Sequence, residues 1–182
     1  TGSTNGDIQI LGDVVVNALL KFQNDSGVTI GAGVTISGSN TLQFVSPNSG
    51  FGLLSFDASS AITANLTVLN PRSGSVLAAG PSGSSLTKFY QAVDEVAVLQ
   101  LDGSYTFSGN LELSNTHATG SITLDLATND ADVTVVGDLI VDLDDSGDIT
   151  VDEATSTGQV TLQGDVVDEI TGGGAFNWSA GT

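Results

Sequence analysis

Residues 118–144 (ATGSITLDLATNDADVTVVGDLIVDLD) and 145–171 (DSGDITVDEATSTGQVTLQGDVVDEIT) align without a gap at an offset of 27, with ten positions identical. The identities include Gly120 with Gly147, Asp125 with Asp152, Gly137 with Gly164 and Asp138 with Asp165. The apolar positions repeat as well: Ile122 with Ile149, Leu124 with Val151, Val133 with Val160, Val135 with Leu162, Leu139 with Val166 and Leu143 with Ile170. Within the first copy, 121–126, 132–136 and 138–143 are short runs in which apolar and polar residues alternate. That is the period-two pattern of strands with one buried face. An internal repeat of this length is the signature of a repeat architecture.

Working outward, a looser copy precedes these two, in Val96-Ala-Val-Leu-Gln-Leu-Asp102 and Ser104-Tyr-Thr-Phe-Ser-Gly-Asn-Leu-Glu-Leu113. The same phrase opens the chain as Ile8-Gln-Ile-Leu-Gly-Asp-Val-Val-Val16 and returns as Val28-Thr-Ile-Gly-Ala-Gly-Val-Thr-Ile36. Two all-β architectures fit. In a parallel β-solenoid each 27-residue copy of the C-terminal half is one coil, and equivalent apolar residues stack in inner columns. In an antiparallel β-sandwich or jelly roll, each Gly-Asp or Gly-Asn is a hairpin turn. The gapless spacing favours the solenoid for 96–171, and the less regular residues 1–90 also suit a sandwich. Leu86-Thr-Lys-Phe-Tyr-Gln-Ala-Val93 reads as a short helix capped by Ser84 or Ser85, and 14–22 is readable as helix or strand. The expected organisation is one β-rich domain over 1–182, with a near-neutral lobe (1–85), an acidic repeat lobe (96–171) and a flexible terminal strand (172–182).

Charge divides the chain. The 182 residues carry 21 acids against 3 basic residues, a formal charge of −18. Residues 89–182 hold seventeen of the acids and no Lys or Arg. Such a surface repels phosphate, which excludes nucleic acid as a partner, and no apolar run is long enough for insertion into a bilayer. With no cysteine there is no disulfide frame and no thiolate site. The start Thr1-Gly2-Ser3-Thr4, without methionine, reads as processed or excised, and together with the missing cysteine points to an extracellular or cell-surface location. Asn24-Asp-Ser26, Asn65-Leu-Thr67 and Asn177-Trp-Ser179 are formal glycosylation sequons.

The strongest chemical motif is Asp142-Leu-Asp-Asp-Ser-Gly-Asp-Ile-Thr-Val-Asp-Glu153. Oxygen donors stand at loop positions 1, 3, 5, 7 and 12, namely Asp142, Asp144, Ser146, Asp148 and Glu153, with Gly147 at position 6. The loop resembles the calcium loop of EF-hand proteins, and the resemblance implies Ca2+ held by those five residues. Its flank 133–141 reads as strand where that family has a helix, and the alternative is an acidic turn between strands.

A catalytic centre is not expected. His117 is the single histidine and sits in a turn, and no Gly-x-Ser-x-Gly elbow is present. Acid pairs such as Asp144–Asp145 or Asp168–Glu169 leave a polysaccharide-acting β-helix enzyme as the third-ranked reading. Phe22, Phe44, Phe51, Phe56 and Phe107 alternate with polar neighbours and are expected in the core.

The Gly-x-Ile/Val-Thr-Val/Leu phrases at 120–124, 147–151 and 158–162, with the Gly-Asp turns, resemble secreted microbial surface β-repeat proteins. These are the autotransporter and haemagglutinin passengers, S-layer proteins and extracellular filament subunits. The resemblance implies a structural or adhesive role without catalysis. The expected function is self-assembly, with copies of the chain joined by strand addition into a filament, sheath or lattice. The assembly residues are Ile8, Ile10, Val14 and Val16 at one end and Phe176 and Trp178 at the other. The alternative is an adhesive domain of a larger surface protein with a glycan or protein partner.

Overall fold

The computed structural model describes residues 7–23, 27–45, 54–56, 60–71, 75–77, 86–101, 104–153 and 157–179, with backbone alone at 54–56 and 75–77. The chain winds in successive coils. The first holds β1 (Ile8–Ile10), β2 (Val14–Val15) and β3 (Leu20–Gln23), and the second β4 (Val28–Ile30), β5 (Thr35–Ser37) and β6 (Thr41–Val45). Next come β7 (Leu54–Phe56), β8 (Ala61–Ile62) and β9 (Asn65–Leu69), then β10 (Ser75–Leu77) and β11 (Leu86–Gln91). The acidic half follows with β12 (Val96–Leu101), β13 (Tyr105–Phe107) and β14 (Asn110–Asn115), then β15 (Ser121–Asp125), β16 (Val133–Val135) and β17 (Leu139–Leu143). Last are β18 (Asp148–Asp152), β19 (Val160–Leu162), β20 (Val166–Ile170) and β21 (Phe176–Ser179).

Each strand pairs with its counterpart one coil away, and every described ladder is parallel. One face is a continuous seven-stranded sheet in the order β20-β17-β14-β11-β9-β6-β3. The fold is a parallel β-solenoid. Ile122 pairs with Ile149 and Val133 with Val160, so the 27-residue sequence repeat is the length of a coil.

Two readings need correction, and a third, left open between helix and strand, resolves as strand. The antiparallel sandwich is absent among the described residues, and the parallel coils extend through β1 to β9, where a sandwich was also readable. Residues 86–91 are strand β11, paired with both β9 and β14, and no described segment is helical. The apolar–polar rhythm there was ambiguous because Thr87 and Gln91, both polar, face inward beside Phe89, and all three are buried. Residues 14–22 likewise carry strands β2 and β3. The suggested caps Ser84 and Ser85, the side chains of Phe51 and Phe56, and Asn24 lie outside the described residues.

Parallel stacking puts like on like. One inner column runs Leu20, Leu42, Leu66, Thr87, Leu111, Leu139, Val166, and its neighbour runs Phe22, Phe44, Val68, Phe89, Leu113, Val141, Asp168. Phe22 and Phe44 stack with ring centroids 5.7 Å apart. The opposite wall stacks Ala97, Ile122, Ile149 and Phe176. Burial of these columns is the main force holding coil on coil.

Candidate functional site

The corners between strands cannot use the ladder to satisfy their backbone donors, and here the acids have a structural task. Asp7 Oδ1 accepts the Gly27 N–H at 2.9 Å and Asp13 Oδ1 the Thr35 N–H at 2.8 Å. Further along, Asp130 accepts from Thr157, Asp132 from Gln159, Asp138 from Asp165 and Asp148 from Ala175, at 2.9 to 3.0 Å. Asn70 and Asn110 do the same for the N–H groups of Ala92 and Asp138. Every donor lies one coil beyond its acceptor. Side-chain oxygens therefore carry the hydrogen bonding around corners where the main chain leaves the sheet, part-buried at Asp7, Asn70 and Asn110 and solvent-exposed at the others. The Gly-Asp phrase follows from this geometry: a Cβ on Gly164 would lie 2.6 Å from Asp138 Oδ1 and 2.4 Å from the Gly137 carbonyl oxygen.

The five candidate calcium ligands occupy this scaffold separately. Asp142 lies on the outer face of β17, where its Oδ2 accepts the Ser114 hydroxyl at 2.7 Å. Asp144 Oδ1 accepts from the Thr171 hydroxyl at 3.1 Å, and the Ser146 N–H donates to Asp145. Asp148 holds the Ala175 N–H. Residues 148–152 are the extended strand β18, so Glu153 stands about 16 Å along the chain from the corner. The burial alternation of β18 also puts Glu153 on the inner side and Asp148 on the outer. An EF-hand loop folds its twelfth residue back onto its first, and a strand cannot. Among the described residues no group of three or more His or acidic side chains is arranged to hold a metal ion.

Of the proposed assembly residues, Ile10 and Val16 are buried in the core, while Ile8 and Val14 are partly buried against it. Phe176 packs on the core and meets Trp178 edge-on at 6.2 Å, and Trp178 stays 37% exposed. Among the described residues the partly buried core members are Ile8, Val14, Leu20, Phe22, Val160, Leu162, Ile170 and Phe176, from the first coil or from β19, β20 and β21. Among the described residues the apolar columns therefore lose burial toward the first and last coils, beside the exposed side chains of Leu11, Val15 and Leu19 at one end and Val166 at the other. His117 lies in the corner after β14, half-buried, with its Nδ1 accepting the Thr119 N–H at 3.3 Å.

One polar cluster escaped sequence reasoning. On the outer face of the seven-stranded sheet Lys88 pairs with Glu112, lies 4.0 Å from Asp142 Oδ2 and sits 5.2 Å above the Tyr90 ring. The Tyr90 hydroxyl meets the Thr116 hydroxyl at 2.8 Å. These contacts join β11, β14 and β17, and reading 86–93 as helix hid the strand alternation that aligns Lys88 with Glu112.

No protein-family model matches the chain, no curated protein matches it, and no solved structure matches it.

Proposed function

We propose that the chain is a non-catalytic structural module of an extracellular or cell-surface assembly, joined to copies of itself by strand addition at the ends of the coil stack. The observation that carries this reading is that, among the described residues, the half-buried aliphatic and aromatic positions lie in the first coil and in β19, β20 and β21, beside the outermost strands of the sheets. Edge strands with unpaired main-chain groups template further pairing, and natural proteins normally blunt or cover them. The acids support the same reading. Many hold corners rather than converge on a point, so they serve a rigid stack and leave a charged, solvated side wall. Negative-stain imaging with sedimentation velocity across a concentration series tests it. Particles that lengthen along the coil axis as concentration rises are expected, and monomers at every concentration and salt would refute the reading.

A further inference from the structure

The outer strands of the seven-stranded sheet, β3 and β20, end the same inner columns in different chemistry. At the β3 end the columns finish in Leu20 and Phe22, both apolar and half-buried. At the β20 end they finish in Val166 and Asp168, with Asp168 placed directly beyond Phe89, Leu113 and Val141. Its three predecessors are at most 1% exposed, so a carboxylate at this point breaks an apolar column.

Asp168 also alters the edge itself. The Leu139 N–H donates to the Asp165 carbonyl and the Thr171 N–H to the Leu143 carbonyl. By the alternation of a parallel ladder, the main-chain groups of Val166, Asp168 and Ile170 then point away from β17, toward an edge on which no described strand pairs. Asp168 Oδ1 accepts the Ile170 N–H at 2.9 Å, so the side chain covers one of the donors that a further strand would use.

We infer that Asp168 is a gate on a docking edge whose occupant is the β3 edge of a second copy of this chain; the inference rests on the self-assembly reading above. Continuing the observed register sets Leu20 of the incoming copy on Val166, Lys21 on Val167 and Phe22 on Asp168. Charge fits as well. Lys21 is exposed at one end, and Asp165, Asp168 and Glu169 are exposed at the other, with Glu169 diagonal to the docked Lys21. The obstacle is Asp168, which must release the Ile170 N–H and be desolvated beneath a phenyl ring. The gate therefore holds back head-to-tail growth through this sheet while leaving the rest of the complementary surface intact.

Sedimentation velocity on the full chain tests the gate with Asp168→Val, which restores the column, and Asp168→Asn, which removes the charge but keeps an acceptor for Ile170. Circular dichroism checks that each variant folds, and the near-isosteric Asp168→Asn keeps the test decisive if Asp168→Val does not. Asp168→Val is expected to assemble at a concentration at least about tenfold below wild type, with Asp168→Asn between them. Adding Phe22→Asp to Asp168→Val is expected to return the threshold to the wild-type level. Equal thresholds for wild type and both variants overturn the gate while self-assembly stands. Unchanged assembly in the double variant overturns β3 as the occupant. Folded monomers throughout overturn self-assembly and the gate together.

Discussion

Asp138 Oδ1 accepts the backbone N–H of Asp165 at 3.0 Å, and the N–H of Asp138 itself donates to Asn110 Oδ1 at the same distance. The two bonds form a side-chain ladder up one corner of the solenoid, in step with the main-chain ladders of the faces. Each rung fixes the register of the next coil, because a one-residue slip would carry the donor away from its oxygen and turn the inner columns outward. The acidity that looks from composition like surface decoration is here part of the fold.

Removing the oxygen while leaving the coil otherwise unchanged tests this role. Asp138→Ala is expected to cost about 1–2 kcal/mol, the order of loss for a hydrogen bond from an exposed backbone donor to a charged oxygen. In a chain of this length that lowers Tm by roughly 2–8 °C. Asp138→Asn keeps the acceptor and removes one of two stacked like charges, so its Tm is expected at or above wild type. Thermal unfolding followed by circular dichroism separates the two variants, and equal losses would show that charge rather than hydrogen bonding matters at this corner.

The glycine beneath such a corner is a packing requirement. A Cβ at Gly147 would lie 2.3 Å from the His117 carbonyl oxygen and 2.4 Å from that of Gly120, whereas one at Gly12 meets nothing within 4 Å. Gly147→Ala is therefore expected to destabilise by about 1–3 kcal/mol as the coils are forced apart. Gly12→Ala is expected to stay within about 0.5 kcal/mol of wild type. Denaturant midpoints for the pair make the comparison, and similar values would remove close coil approach as the reason for Gly147.

The C-terminal coils were legible because consecutive copies have one length. Ile122 with Ile149 and Val133 with Val160 could be matched by a gapless offset, and they are paired strand residues. The N-terminal coils resist that reading because their lengths vary: Ile8 pairs with Val28 but Val28 with Leu54. Different corner lengths preserve the inner columns while destroying sequence periodicity. Strand β11 was lost for another reason, since buried Thr87 and Gln91 break its apolar alternation. Gln91 is accommodated by donating from Nε2 to the Glu95 carbonyl at 2.9 Å, a partner created only by the corner that follows.

Site chemistry was less legible than fold. The spacing of Asp142, Asp144, Ser146, Asp148 and Glu153 reproduces a known loop, but spacing carries coordination geometry only when the loop curls. Here Ile149 and Val151 enter the core and pull the second half straight. The same Asp residues one coil apart, Asp138 and Asp165, carried the structural signal, and it lay in the repeat rather than in the local motif.

Salt distinguishes a diffuse acidic wall from a bound ion. Seventeen acids and no Lys or Arg lie in 89–182, so their mutual repulsion opposes stacking and is screened by added electrolyte. Tm is expected to rise smoothly with sodium chloride, and Ca2+ and Mg2+ are expected to act alike at matched concentration. A rise specific to Ca2+ at submillimolar levels, lost in Asp144→Asn, would instead establish a site at the corner.

Glu153 provides the sharpest contrast between a ligand and a buried liability. It follows the registered pair Asp125–Asp152, at the position that Leu126 holds in the preceding coil, and Leu126 is fully buried. Glu153 is 9% exposed, and its Oε1 lies buried without a hydrogen-bond partner among the described residues. An unsatisfied buried oxygen costs about 1–3 kcal/mol, and Leu would both remove it and extend the aliphatic column. Glu153→Leu is therefore expected to raise Tm by several degrees, roughly 2–4 °C per kcal/mol, with the circular dichroism spectrum unchanged. Glu153→Gln keeps an uncharged polar atom in the same place and is expected to fall between wild type and Glu153→Leu. A lower Tm for Glu153→Leu would mean that the carboxylate is bound in solution, and repeating the melt with chelator would then show whether the bound group is a cation.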